Sequence, residues 1–265
     1  SWIGKAGALN LAASLAFVLL QAAPGDAYSD LGDASSMTPE LRAQLRAQEG
    51  LDQPLAVQYR LFLRGIVRGD FGYSLSQNQF VSDVFRSRVP NSLLLMSLAL
   101  LGSVVLGSAL GAWQGARAGS RADRATVFTT LLLYSIPEFW LASVLLLVFV
   151  STLHLLPSSG MITVEAYDTM SPARQLVDRL RHLVLPWLSL TLVGTAIFAR
   201  LQRASMQDAM RESFVRTARA KGLSERQVRR QAWRTALLPI VTLTGLFFPT
   251  LLTGAVFVER VYGWP

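Results

Sequence analysis

FVRTARAKGLSERQVRRQAWRTALLP occupies residues 214–239. It holds seven Lys or Arg and a single acid, Glu225, and long apolar runs lie on both sides. Its apolar residues, Phe214, Val215, Ala218, Leu223 and Val228, recur at roughly helical spacing. Gly222 breaks the run and permits a turn with φ > 0. Pro239 lies just inside the next apolar run. The pattern predicts a short helix, a turn and a second helix lying under a membrane. On composition alone, two readings stay open. Anionic lipid could hold such a segment, at about 1 kcal/mol per basic residue near the surface, or a protein groove could.

The membrane is implied by the rest of the chain. Of 265 residues, 51% are hydrophobic and 16% charged, with a mean hydropathy of +0.36. A soluble domain would carry about a quarter charged residues. Several apolar runs approach or exceed the roughly 17–25 residues that a membrane helix needs. The fold class is therefore all-α, a polytopic transmembrane bundle. Cysteine is absent, which excludes a disulfide framework and a thiolate metal site.

Five spans are expected. The first covers residues 6–23, read as a retained membrane helix over a signal peptide, since the cleavage-site pattern is poor and Pro24-Gly25-Asp26 stops the run. The second is 92–113. The third is about 125–150 and is interrupted by Pro137. The fourth is about 183–201 and the fifth about 235–258. Residues 24–90 are polar and predict two short helices. One opens at Thr38-Pro39-Glu40 and stops at Gly50; the other opens at Asp52-Gln53-Pro54 and ends near Gly69. Neither is long or apolar enough to span.

Charge sets the orientation. Residues 200–234 have ten Lys or Arg and three acids, and residues 114–124 have three Arg and one Asp. Residues 24–90 have seven Arg against eight acids, and residues 151–182 are near neutral. The two basic loops are thus cytoplasmic, with the N-terminus, and residues 24–90 lie outside. The organisation reads as a first transmembrane helix (1–23), an extracytoplasmic helical segment (24–90) and a core (91–265). The core has four further spans and a cytoplasmic loop at about 204–234.

Several side chains stand out. Gly107, Gly111 and Gly115 form two overlapping GxxxG words, which let a helix face approach another backbone, in this chain or a second one. Glu138 follows Pro137 inside the third span. An ionisable group at that depth is costly, which makes it a candidate for a pore or subunit interface, or for a structural pair. His154 and His182 are read as loop residues with no ligand cluster around them, so no metal is expected. No GxxxxGK[ST] phosphate loop is present, and no nucleophile–base set.

The opening words add a resemblance. Phe214-Val215-Arg216-Thr217-Ala218-Arg219-Ala220-Lys221-Gly222-Leu223 resembles the "EAA" loop of ABC-importer permeases, in the form of the dipeptide, oligopeptide and nickel branch. Arg216, Thr217 and Ala218 fall at the Glu-Ala-Ala positions, and Gly222 matches the family glycine. Gly50-Leu51-Asp52-Gln53-Pro54 and Gly69-Asp70-Phe71-Gly72-Tyr73-Ser74 are similar to the extracytoplasmic segment of the B-type permeases. Ser135-Ile136-Pro137-Glu138-Phe139-Trp140-Leu141, Leu156-Pro157-Ser158-Ser159-Gly160, Arg200-Leu201-Gln202-Arg203-Ala204-Ser205 and the closing Glu259, Gly263, Trp264 and Pro265 follow in the family's order. The segment departs from the family at Gln231-Ala232, where a His-Ala pair is usual, and its Gly-to-Pro spacing is one residue short.

The resemblance implies a permease subunit of a binding-protein-dependent importer in a bacterial or archaeal inner membrane. It would form the pathway for peptides or a related solute such as a nickel complex. The ten residues from Phe214 to Leu223 would be the coupling helix that docks on an ATPase. Expected partners are a C-type permease, two cytoplasmic ATPases that hold ATP and Mg²⁺, an extracytoplasmic solute-binding protein and membrane lipid. No cofactor on this chain and no nucleic acid are expected. Family members continue through a further span after Gly-Trp-Pro, so a final helix is expected beyond residue 265. An ion-coupled secondary transporter is the alternative, and would favour repeated halves with broken helices. An intramembrane enzyme would need reactive side chains that the spans lack.

Overall fold

The computed structural model describes residues 2–22, 52–74, 77, 79–253 and 255–264. The helix expected at Thr38-Pro39-Glu40 and its stop at Gly50 lie outside them. The chain divides into two compact units, Ser1–Ser87 and Arg88–Pro265.

In the first unit, α1 (Trp2–Ala22) meets α2 (Leu55–Arg68). Phe17 packs against Tyr59 and Phe62, with ring centroids 5.3 and 5.5 Å away. Gln21 Nε2 donates to Gln58 Oε1 at 2.8 Å. The Gly69–Ser74 motif folds as a turn. Gly72 N–H donates to Asp70 Oδ1 at 3.1 Å. β1 (Tyr73–Ser74) then pairs antiparallel with β2 (Gln79–Phe80), Tyr73 opposite Phe80.

The second unit is built on two long helices. α3 (Val81–Ala116), which begins in the first unit, has 36 residues, and α6 (Pro172–Arg211) has 40. At 1.5 Å per residue α6 runs roughly 60 Å, about twice the hydrocarbon thickness of a bilayer. It therefore extends beyond the expected 183–201 span at both ends. Between them stand α4 (Arg121–Ser135) and α5 (Glu138–Leu146), the latter continued by a wide π turn over Leu147–Thr152. Among the described residues, α3 and α6 are each long and apolar enough to cross a membrane. The α4–α5 pair, bent by 101° at its break, makes a third if counted as one span. Ile136 and Pro137 are the break: Pro137 lacks an N–H, so the α4 ladder cannot run through it.

The expected fifth span is not one helix. It is α9 (Leu238–Phe247), α10 (Thr250–Thr253) and α11 (Val256–Tyr262). Pro249 follows α9 and interrupts the hydrogen-bond ladder within an otherwise apolar run. α11 turns its apolar side into the core. Val258, Tyr262 and Trp264 are buried with Leu95, Ala99, Ala142 and Leu185. The Tyr262 hydroxyl donates to the carbonyl of Ala142 at 2.9 Å, and Trp264 Nε1 donates to that of Asn91 at 3.3 Å. Gly160 N–H donates to the Tyr262 carbonyl at 2.8 Å. Two motifs a hundred residues apart, Leu156–Gly160 and Glu259–Trp264, are thus one structural joint.

The glycine row of α3 lies against α6 of the same chain. A Cβ on Gly107 would stand 2.5 Å from Phe198 Cβ, and one on Gly115 would stand 2.7 Å from Met206 Cβ. One on Gly111 would overlap the Ala199 carbonyl oxygen. His182 is also placed differently from expectation: it lies inside α6, buried, with Nδ1 2.8 Å from the Asp178 carbonyl oxygen. Asp178 in turn accepts from Thr163 N–H and Oγ1 at 2.8 and 2.7 Å, tying the 160s loop to α6.

Gly111→Val should separate α3 from α6 and destabilise the chain by about 3 kcal/mol or more, since the obstruction is backbone and cannot rotate away. Gly245→Ala should be neutral or stabilise by up to about 1 kcal/mol, because it lies inside α9 and nothing stands within 4 Å of its Cβ position. Thermal unfolding of both variants in detergent checks the pair.

Candidate functional site

The basic segment folds as two short helices on the end of α6. Glu212 adopts an extended conformation (φ −64°, ψ 155°) that ends α6. α7 (Ser213–Ala220) follows, then the Gly222 turn, then α8 (Glu225–Ala236). The turn is a Schellman motif. Gly222 has φ 76°, its N–H donates to Arg219 O at 2.9 Å, and Leu223 N–H donates to Ala218 O at 3.1 Å. Leu223 and Ala218 both belong to the apolar cluster beneath it. Ser224 then opens α8, with Gln227 Oε1 accepting from the Ser224 N–H at 2.9 Å.

A clasp spans the turn. Arg219 Nε and a terminal nitrogen donate to the two carboxylate oxygens of Glu225 at 2.8 and 3.3 Å. Both side chains are about half exposed, so the clasp contributes direction more than stability. The hydrogen bonds from Arg219 hold the Glu225 carboxyl below its ordinary pKa. The clasp's contribution is therefore fully present above the usual carboxylate range and is lost only as pH falls through the lower folded value.

The inward side of the segment is apolar. Val215, Ala218, Val228, Ala232 and Ala236 are buried with Met206 and Ala209 of α6, and Phe214 and Leu223 pack at the edge. α7, α8 and the end of α6 thus share one core. The outward side of α7 consists of Arg216, Thr217, Arg219 and Ala220, followed by Lys221 at its C-cap, all exposed. Of the ten residues expected to form the docking helix, Ala218 is therefore corrected to a core position. Ala218 is 6% exposed and faces the chain's own core. The small outward residues are Thr217 and Ala220.

Sequence reasoning also missed a latch next to this core. Asp123, 1% exposed, begins α4 and is gripped by Arg203 of α6, with Nε and a terminal nitrogen each 2.9 Å from a carboxylate oxygen. Gly119 N–H donates to the same carboxylate at 2.9 Å, and the Ser120 hydroxyl caps Asp123 N–H at 3.0 Å. Arg203 also lines the glycine row, since its carbonyl oxygen stands 2.8 Å from a Cβ on Gly115. The latch joins α3, α4 and α6 within one helical turn of Met206. Charge counting sees Asp123 and Arg203 only as entries in two loop totals. Their 80-residue separation leaves no local signal.

Glu138 heads α5 just past the break, half-buried, without a hydrogen bond or ion pair among the described residues. No group of three or more potential metal ligands occurs among the described residues.

Asp123→Ala should cost about 3–5 kcal/mol, because it leaves a partly buried guanidinium unpaired. Asp208→Ala, which removes an exposed carboxylate about one and a half turns from the latch, should cost less than about 0.5 kcal/mol. Thermal unfolding of the two variants in detergent measures the difference.

Comparison with known proteins gives the following. A family model described as "binding-protein-dependent transport system inner membrane component" matches residues 79–265. A second, for the N-terminal part of such membrane components, matches residues 2–96. The oligopeptide transport system permease protein AppB of Bacillus subtilis is 34% identical over 95% of this chain and 78% of its own length. The di/tripeptide transport system permease protein DppB of Pseudomonas aeruginosa is 34% identical over 95% of this chain and 79% of its own. The dipeptide transport system permease protein DppB of Escherichia coli is 32% identical over the same shares.

Proposed function

The chain belongs to the binding-protein-dependent transport system inner membrane components, and we propose that it carries peptides and is driven through the outward face of α7. It is a permease subunit of an ABC importer, and ATP hydrolysis is carried out by a separate subunit. The peptide substrate is proposed from relatives named for oligopeptides, di/tripeptides and dipeptides. A partner permease, an ATPase and a soluble binding protein complete the system. In our reading the sister is a C-type permease, two ATPases hold ATP and Mg²⁺, the basic segment is cytoplasmic with the N-terminus, and residues 24–90 meet the binding protein.

The shared core of α7, α8 and α6 carries this reading. A helix that is to transmit force must be rigidly joined to what it moves. α7 is joined by the Schellman turn, the Arg219–Glu225 clasp and the buried Val215 and Ala218. Its outer face is narrow at Thr217 and Ala220 and positive at Arg216 and Lys221, which suits a cleft with an acidic rim. Displacement of α7 would pass to α6 and, through the Arg203–Asp123 latch, to α4. α4 leads to the Pro137 break and Glu138, so the broken span is where the pathway would switch between inward and outward access.

Thr217→Trp and Ala220→Trp should keep the chain stable, since both side chains point outward, and should abolish co-purification of the ATPase. Ligand-stimulated hydrolysis should fall by about tenfold or more, equivalent to about 1.4 kcal/mol. Uptake that survives both substitutions and collapses instead when an ion gradient is dissipated would favour the secondary-transporter alternative.

A further inference from the structure

The outward face of α8 is not used by the coupling reading. Its inward stripe, Val228, Ala232 and Ala236, packs on Met206 and Ala209. The opposite side presents Arg226, Arg229, Arg230 and Arg234, all exposed, with Trp233 at 39% exposure among them. Arg226, Arg230 and Arg234 have no carboxylate partner among the described residues. The nearby acid, Glu225, is engaged by Arg219.

The helix does not stop there. Leu237 N–H donates to Trp233 O at 3.0 Å, and Val241 N–H donates to Leu237 O at 3.0 Å, so helical bonding runs from α8 into α9. Arg230, Arg234, Leu238 and Val241 then fall at i, i+4, i+8 and i+11, on one side of this nearly continuous helix. Leu238 is 67% exposed and Val241 69%. Within a single turn, roughly 6 Å of helix axis, the exposed stripe changes from guanidinium to aliphatic, with Trp233 at the boundary. That is the depth profile of a bilayer, headgroup above acyl chain, with the aromatic at the interface. A protein rim would account for the arginines alone, whereas the switch to aliphatic side chains one turn further on follows the helix into the apolar run.

We propose that Arg230, Trp233 and Arg234 form a binding site for the headgroup phosphate of anionic phospholipid. The guanidinium forks take the phosphate oxygens, and the indole lies level with them at the interface. Leu238 and Val241 meet the acyl chains. The site anchors α8 at the membrane surface and gives the shared core of α7, α8 and α6 a fixed purchase when α7 is displaced. This rests on the family assignment for the helix entering a membrane, and not on α7 docking to the ATPase.

The test uses the assembled importer, permeases with ATPases, carrying Arg230→Gln and Arg234→Gln together. Native mass spectrometry titrates phosphatidylglycerol against phosphatidylcholine. Uptake is compared in vesicles of phosphatidylcholine alone and of phosphatidylcholine with phosphatidylglycerol. The parent should retain phosphatidylglycerol preferentially and transport faster in the mixed vesicles, with inorganic phosphate unable to compete. The double variant should keep its ATPases, bind phosphatidylglycerol about tenfold more weakly or worse, and lose the difference between the two vesicles. Two results overturn the proposal: unchanged phosphatidylglycerol retention in the variant, or loss of the ATPases from the variant in both lipids, which would make this face a protein contact. A failure of α7 docking appears separately, in the outward Trp variants and without lipid dependence.

Discussion

Helices in a bilayer gain little from hiding apolar side chains from one another, since lipid is as apolar as they are. They hold together where backbones come close enough for dense van der Waals contact. In this chain that condition is met along α3 and α6, where Gly107, Gly111 and Gly115 put no α3 side chain between the helices. Much else refers to this crossing. Trp187 reaches across it to donate to the Leu98 carbonyl at 3.0 Å, and Ser103 lies against Gly194. The Asp123–Arg203 latch closes its lower end, and the coupling core begins at Met206, which itself touches the row at Gly115.

The geometry explains why a loop so basic is also so ordered. Its charges face outward, and its order comes from a small apolar core that includes the last turns of α6. Val215, Val228 and four alanines fill that core, and their small size lets α7 and α8 lie close to α6. The segment is thus an extension of a membrane helix and not a separate domain. Force applied to its outer face has a short covalent and packed route into the spans. The latch offers a second route, into α4 and the break at Pro137.

Much of this was legible in the sequence, and the exceptions have physical causes. Gly222 announced the turn because few other residues accept a positive φ, whereas the Ser224–Gln227 capping box that opens α8 went unread. The Pro137 break was visible for the same kind of reason. The inward turn of Ala218 was not, because alanine is compatible with both a core and a cleft and marks neither face of an eight-residue helix. The broken fifth span was missed although Pro249 was there to be read, since hydropathy averages over a single proline. His182 was read as a loop residue because α6 begins well before its apolar stretch. The Asp123–Arg203 pair joins residues 80 apart and leaves no local trace.

The central account is that the outer face of α7 is the surface on which the ATPase acts. The sequence has no cysteine, so a thiol placed there is the one on this chain. Ala220→Cys in the permease, treated with a bulky maleimide before and after ATPase binding, tests it directly. The account predicts rapid labelling of the free permease, protection in the complex, and loss of uptake once labelled. Equal labelling in both states, with uptake intact after modification, would contradict it.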